Sequence, residues 1–192
     1  MGSEGESSRA WREIFSELKQ RGLERIDIVV SDDLPGIEEA VASVFPSADH
    51  QLCLVHAMRA SQRKARIRDW EKVSGDLKAI YGASSGKDAE EAFAAFQEAW
   101  KKRYPHLVRY WRENLPHLTA FLKYPEQVRP YIYTTNQLER INKEVKRRCR
   151  VIEVFSSEDS LLTVLYLVLK SENEKLSRRK LRGFKDLVWE EG

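Results

Sequence analysis

Only two short segments of this chain have the composition of β-strands. Residues 26–30 are a β-branched run that ends in the turn-forming residues 31–36, and residues 50–55 form the second run. Two strands do not make an independently stable sheet. We therefore expect either that the chain pairs with strands from elsewhere or that an upstream segment completes the sheet.

Apolar residues recur at helical spacing through most of the remaining sequence. This pattern predicts a first helix over residues 8–23, a second helix that Pro46 stops, and a helical, strongly basic segment without a strand from His56 to about Tyr81. Asp88 is predicted to cap the next helix. The whole stretch over residues 59–130 is predicted to be helical.

Two more helices are predicted near the end of the chain. Thr134, Thr135 and Asn136 offer caps for a helix that runs to about Arg148, and the last long helix begins near Ser157. The predicted order is helix, strand, helix, strand, a helical block and two helices. The chain is therefore expected to have an α/β fold that is predominantly α.

Composition and charge describe an ordinary globular chain. Of 192 residues, 42% are hydrophobic, and 33 Lys and Arg against 30 Asp and Glu leave a net charge of +3, too small to indicate a nucleic-acid partner by itself. Cys53 and Cys149 are too few for a disulfide framework. The longest apolar run, residues 161–169, is shorter than the roughly 20 residues that cross a bilayer. We expect a cytoplasmic protein without a membrane segment.

Asp32 directly follows the first predicted strand. A carboxylate at the end of a strand is well placed to project into a crevice and bind a ligand. The alternative is an ordinary turn residue, because Asp is common in turns. Its neighbour Asp33 is a candidate cap for the next helix.

Glu139 lies early in a helix that is rich in basic residues. From Arg140 to Arg150, six basic residues and one acidic residue leave a local excess of five positive charges. Glu139 either joins a surface ion-pair network or holds a metal ion beside cations that bind a phosphate backbone. The predicted DNA-binding residues are Arg140, Lys143, Lys146, Arg147 and Arg150.

Cys53 and His56 form a CxxH pair. A structural zinc site needs four ligands at suitable spacing, and the sequence contains no second pair of this kind. We therefore expect Cys53 to be a buried core residue and His56 to be a capping group or a group that supports a site.

Two blocks that contain these candidates closely resemble the signature blocks of Mutator-type (IS256-type) bacterial DNA transposases. The first is VVSDDLPGIEEAVASVFPSADHQLCLVHAMR, and the second is YIYTTNQLERINKEVKRRCRVIEVFSSEDSLLTVL. Between them, WKKRYPHLVRYWRENLPHLTAFLKYP resembles the helical insertion of that family. The resemblance extends from about Glu6 to Leu187.

The resemblance implies an RNase H-like catalytic fold in which an all-helical insertion separates the last two members of an Asp-Asp-Glu triad. Asp32 matches the second Asp and Glu139 matches the Glu, with 106 residues between them. The first Asp and the first three strands of the family have no counterpart here, so the implied fold is partial. It divides into RNase H-like parts over residues 1–58 and 131–176, the insertion over residues 59–130 and a charged tail over residues 177–192.

The resemblance also implies supporting roles for four residues. Cys53 and His56 match the family's C-and-H motif, which is thought to support the active site rather than to bind zinc. Trp100 and Trp111 lie in the insertion, where related transposases stack an aromatic ring on a DNA base. The alternative is a core role, because a Trp at helical spacing is more often a core residue.

For the complete enzyme, the resemblance implies DNA as the partner, a homo-oligomer near the bacterial nucleoid, and two Mg²⁺ or Mn²⁺ ions that cut DNA and transfer strands. With two of three carboxylates, we expect this chain alone neither to cut nor to join DNA. One other interpretation is a non-catalytic DNA-binding or assembly module. Another is an unrelated metal-dependent hydrolase, which needs a third carboxylate such as Asp27, Asp49 or Glu38.

Overall fold

The computed structural model describes residues 3–150 and 157–179 of the chain. This part is mostly helical, as the sequence predicts. Its elements in chain order are α1 (Ser3–Gln20), β1 (Ile28–Ser31), α2 (Ile37–Val44), β2 (Asp49–Leu52), α3 (Leu54–Lys64), α4 (Ile67–Tyr81), α5 (Gly86–Trp100), α6 (Pro105–Leu118), a 3-10 turn (Ala120–Lys123), α7 (Arg129–Ile132), α8 (Asn136–Cys149) and α9 (Glu158–Ser177).

The two strands form a small parallel sheet. β1 pairs with β2 in a register that sets Ile28 opposite Asp49 and Ser31 opposite Leu52. Parallel strands need a crossover connection, and α2 supplies it. The carboxyl ends of both strands therefore lie at the same edge, where the Cys53 N–H also donates to the Ser31 carbonyl over 2.8 Å.

α1 and α2 pack together beside β1 and enclose the smaller of two apolar clusters, whose buried members are Phe15, Ile37, Ala40, Val41 and Phe45. Gly36 allows the close approach of these helices. Its φ of 76° lies in the left-handed region, and a Cβ at this position would lie 2.5 Å from the Ser8 backbone nitrogen.

The larger cluster lies within the helices α3 to α6 and the 3-10 turn, and its most deeply buried members include Leu77, Phe96, Leu107 and Trp111. Gln51, which is fully buried, ties β2 to this block. Its side-chain nitrogen donates to the Leu118 carbonyl over 3.3 Å, and its side-chain oxygen accepts from the Phe121 N–H over 2.8 Å. The sheet edge and the helical block are thus held together by a buried amide.

The helical prediction for the basic segment from His56 to Tyr81 is confirmed, and one prediction of a cap was wrong. The basic segment forms two helices that are separated at Ala65 and Arg66, whose backbones are extended, and the Arg66 N–H donates to the Tyr104 hydroxyl over 3.3 Å. The cap of α5 is Ser85 rather than Asp88. The Asp88 N–H donates to the Ser85 hydroxyl over 3.2 Å, so Asp88 lies inside the first turn.

The chain divides into two compact units between Thr134 and Thr135. The first unit contains the sheet and helices α1 to α7, and the second contains α8 and α9, which pack against each other. The four-part division expected from the family stays a prediction, and its charged tail lies outside the described residues beyond residue 179. Within the described ranges, no helix has the length and apolar character needed to cross a membrane.

Candidate active site

Asp32 and Cys53 follow the carboxyl ends of the two paired strands. Because β1 and β2 run parallel in a register that sets Ser31 opposite Leu52, the next residue of each strand emerges at the same edge of the sheet. Cys53 is also the residue that precedes α3, and its thiol is buried. The prediction that Cys53 is buried is therefore confirmed.

His56 connects these two residues. It lies in the first turn of α3, and its Nδ1 is 2.9 Å from Asp32 Oδ1 and 3.2 Å from Cys53 Sγ. The Nδ1 of His56 forms a hydrogen bond with the Cys53 thiol and lies at ion-pair distance from Asp32 Oδ1. His56 thereby orients the Asp32 carboxylate at the sheet edge.

The Asp32 carboxylate remains accessible from solvent. Its side chain is 41% exposed and that of His56 is 34% exposed. One ligand atom each from Asp32, Cys53 and His56 lies within 4.8 Å of the others, so the group has the spacing of a cation site. A partly exposed carboxylate can serve as a ligand of Mg²⁺, which keeps several water ligands.

Glu139 belongs to the second compact unit. It is near the start of α8, where its N–H donates to the Thr135 carbonyl over 2.9 Å, and its side chain is partly exposed. This placement agrees with the helix predicted from the caps at residues 134–136. The pairing of Asp32 with Glu139 in one site stays a prediction.

The five predicted DNA-binding cations, four in α8 and Arg150 at its C-terminal cap, are all exposed. Glu144 forms ion pairs with two cations of the helix. It accepts hydrogen bonds from Arg147 at 2.7 and 2.8 Å and from Arg148 at 2.9 Å. These hydrogen bonds from Arg147 and Arg148 lower the pKa of Glu144 to about 2 and raise that of Arg147. The local excess of charge read from the sequence is therefore partly held in ion pairs on the same helix.

The two tryptophans of the helical block are core residues. Trp111 is fully buried and its indole N–H donates to Ser61 Oγ over 2.9 Å, while Trp100 is 6% exposed and donates to Asp76 Oδ2 over 2.8 Å. Stacking on a base needs an accessible ring face. Both tryptophan side chains therefore have the positions expected of core residues, and these positions do not support a role in stacking on a DNA base.

Three carboxylates considered as partners of Asp32 lie elsewhere in the first unit. Asp27 and Asp49 are at the opposite end of the two strands, about 16 Å and about 13 Å respectively along the strand direction from Asp32 at the usual rise per residue. Asp27 accepts from Arg25, and Asp49 pairs with Lys123. Glu38 instead faces His117 at 3.0 Å. These three carboxylates therefore give no support to an unrelated hydrolase with its site at Asp32.

Sequence reasoning missed one group of residues. Glu38, His50 and His117 come from α2, β2 and α6, and their ligand atoms lie within 4.8 Å of one another. No local motif joins them, because 66 residues separate His50 from His117 in the sequence. The sequence offered one signal, which was the presence of His50 in the second strand, β2. This strand pairs with β1, the strand that precedes Asp32.

Comparison with known proteins gives a consistent result. The family described as "Transposase, Mutator family" matches residues 1–178. The transposase for insertion sequence element ISRM3 of Rhizobium meliloti is 37% identical over 174 residues, which are 90% of this chain and 44% of that protein.

Two further relatives come from distant bacteria. The transposase for IS1201 of Lactobacillus helveticus is 35% identical over 83% of this chain and 43% of its own length. The transposase for IS1081 of Mycobacterium tuberculosis is 25% identical over 95% of this chain and 44% of its own length. The chain thus spans about half the length of the curated relatives that it matches.

Proposed function

The chain belongs to the Mutator family of transposases, and from that premise we propose that it forms the part of a DNA transposase that supplies two metal-binding carboxylates and a DNA-binding helix. Asp32 and Glu139 are the carboxylates. The observation that carries the proposal is the position of Asp32 at the carboxyl edge of the parallel sheet, with His56 holding one of its oxygens.

Divalent Mg²⁺ or Mn²⁺ would activate the attacking oxygen and stabilise the leaving oxygen of a phosphodiester. Asp32 fits such an ion because its carboxylate is partly exposed and is oriented by His56. Glu139 would be the second protein anchor in this chain. The proposed fold is RNase H-like, with residues 59–130 as the helical insertion that separates the two carboxylates in the sequence.

The cations of α8 would bind the phosphate backbone without reading sequence. Arg140, Lys143, Arg147 and Arg150 recur at intervals of three and four residues, so they lie along one side of the helix. All four side chains are exposed. DNA affinity should therefore depend strongly on salt concentration.

DNA binding is tested by replacing Lys143, Lys146 and Arg147 together with Gln. We expect a large loss of affinity and a salt dependence whose slope falls by about 3, roughly one unit for each phosphate contact. The matched control replaces Lys87, Lys101 and Lys102 of the first unit, which are also exposed, with Gln. An equal loss in both variants would mean that net charge rather than α8 binds DNA.

The metal role of Asp32 is tested by adding Mn²⁺ to the purified chain and measuring paramagnetic broadening of backbone amide signals. We expect broadening around Cys53 and His56 that disappears in Asp32→Asn and persists in Asp33→Asn, its neighbour in the same turn. Broadening that survives in Asp32→Asn would refute the assignment. Salt-sensitive DNA binding without any metal effect would support a non-catalytic DNA-binding module instead.

The proposal assigns two of three catalytic carboxylates to these 192 residues. By themselves they should not nick DNA in Mg²⁺ or Mn²⁺, because two metal ions need a third carboxylate as anchor. Metal-dependent cleavage by the purified chain, abolished in Asp32→Ala, would overturn this part of the proposal.

A further inference from the structure

Glu38, His50 and His117 surround a second candidate cation site, on elements α2, β2 and α6 of the first unit. One ligand atom from each lies within 4.8 Å of the other two. They line a cavity of about 230 Å³ beside Asp49 and Lys123. The site is separate from the group formed by Asp32, Cys53 and His56, which shares no residue with it.

The hydrogen bonds of His50 define its tautomer. Ser31 donates its one hydroxyl hydrogen to the Asp32 carbonyl over 2.8 Å, so its oxygen accepts from the His50 Nε2–H, also over 2.8 Å. His50 Nδ1 therefore carries a lone pair. This nitrogen is buried and has no hydrogen-bond partner among the described residues, and the residue as a whole is only 8% exposed.

Burial is the main reason that the pKa of His50 falls to about 4, with a smaller lowering contribution from His117. The lone pair on Nδ1 is therefore unprotonated at neutral pH. An unpartnered buried acceptor destabilises the fold, and a bound cation would give this nitrogen a partner.

His117 presents its own lone pair to the same place. Its Nδ1 lies 3.3 Å from the His50 carbonyl oxygen, which only accepts, so Nδ1 carries the hydrogen. The lone pair of neutral His117 is then on Nε2, which is 3.0 Å from Glu38 Oε1. Two acceptors at this distance need a cation between them, either a proton on His117 or a metal ion.

We propose that Glu38, His50 and His117 bind a Zn²⁺ ion. Two imidazoles and one carboxylate are a common zinc ligand set, and a water completes the tetrahedron. Both imidazoles already donate their other N–H group to a protein acceptor, as metal-bound histidines usually do. Nitrogen ligands favour Zn²⁺ over Mg²⁺, so this ion differs from the one proposed at Asp32.

The ligand atoms need only a small closure around the ion. Zinc–ligand distances of about 2.1 Å place the ligand atoms of a tetrahedral site about 3.4 Å apart. In this structure the three candidate ligand atoms lie within 4.8 Å of one another. Glu38 is 64% exposed and His117 is 25% exposed, so both side chains have room to move. His50, held by Ser31, is the rigid member.

The ion would join α2, β2 and α6, and so the sheet to the helical block. His50 also reaches Asp32 through Ser31, because Ser31 bonds both the His50 ring and the Asp32 carbonyl. Zinc at this site would therefore stabilise the end of β1 from which Asp32 emerges. Since only the folded chain assembles the ligands, Zn²⁺ should also raise its melting temperature.

The experiment titrates the chelator-treated full chain with Zn²⁺ against a competing chromogenic chelator. We expect binding that Glu38→Gln or His117→Gln weakens by about tenfold or more. The matched controls are Glu39→Gln, the next residue of α2, and His106→Gln on α6, both exposed. Circular dichroism confirms that each variant is folded, and the Zn²⁺-dependent rise in melting temperature should disappear with affinity.

Substitution with Co²⁺ separates this site from the one that contains Cys53. The proposed site has no sulfur ligand. The difference between the Co²⁺ spectra of the unchanged chain and of Glu38→Gln should therefore contain no thiolate charge-transfer band. The proposal is overturned if Zn²⁺ does not bind, if binding is unchanged in Glu38→Gln and His117→Gln, or if all bound Co²⁺ shows the thiolate band. Each of these results would leave Glu38 and His117 as an ordinary ion pair.

Discussion

Two glycines with positive φ have different surroundings in this protein. Gly36 has a φ of 76° and faces the Ser8 backbone, where a Cβ would lie 2.5 Å from the nitrogen and 2.7 Å from Cα. Gly22 has a φ of 99°, and a Cβ there would meet nothing within 4 Å. Gly36 is therefore required both by conformation and by close packing of α1, whereas Gly22 is required by conformation alone.

Replacement of each glycine with Ala separates the cost of a left-handed backbone conformation from the cost of a steric clash with α1. Gly22→Ala should lower the free energy of unfolding by about 1–2 kcal/mol, the usual cost of a left-handed non-glycine residue. Gly36→Ala should cost about 3 kcal/mol or more, because backbone atoms of α1 must also move. Urea denaturation measures both, and equal losses would mean that α1 does not press on Gly36.

At the scale of a single element, α8 combines the cations that we propose to bind DNA with an acidic side chain that pairs with two of its arginines. Glu144→Gln should release Arg147 and Arg148 from their ion pairs and increase DNA affinity. The salt dependence of binding should steepen by about 1, the value of one additional phosphate contact. Glu174→Gln on α9 removes the same charge from an exposed position and is the matched control.

The effect of pH on this element follows from the lowered pKa of Glu144. The folded value of about 2 lies below the ordinary value of 4.5, so the ion pairs stabilise α8 above pH 4.5 and are lost as pH falls toward 2. The Glu144→Gln effect on DNA binding should therefore be the same at pH 7 and pH 5. An effect that vanishes at pH 5 would show that Glu144 is already protonated there.

At the scale of the whole molecule, the two compact units differ in their cores. Both apolar clusters belong to the first unit, whereas no described residue of α8 or α9 is buried. Helices gain most of their stability from packing an apolar face. The first unit therefore has what it needs to fold independently, and the pair of helices does not.

Separate expression of residues 1–134 and 135–192 tests this difference. The first fragment should unfold in one cooperative transition, and the second should lose its helical signal gradually or lack it. Circular dichroism during heating measures both. A cooperative transition in the second fragment, or none in the first, would contradict the assignment of stability to the two apolar clusters.

Local patterns in the sequence were sufficient to predict the strand that carries Asp32 and the helix that carries the exposed cations. A β-branched run followed by turn residues located β1 and placed Asp32 at its end, because a strand and its turn depend on neighbouring residues. Helical periodicity likewise located α8 and its exposed cations. The family resemblance, which the comparisons confirm, depended on the same two segments.

Tertiary structure alone decided the features that depend on residues far apart in the chain. The break before α4 involves Tyr104, the burial of Trp111 involves Ser61, and the ion pairs of Glu144 depend on side-chain geometry that charge counting does not contain. The group of Glu38, His50 and His117 exists only once three elements pack together. The spacing of residues in the sequence indicates the periodicity of each element. Only the packing of the elements brings side chains that are far apart in the sequence, such as those of Glu38, His50 and His117, close together.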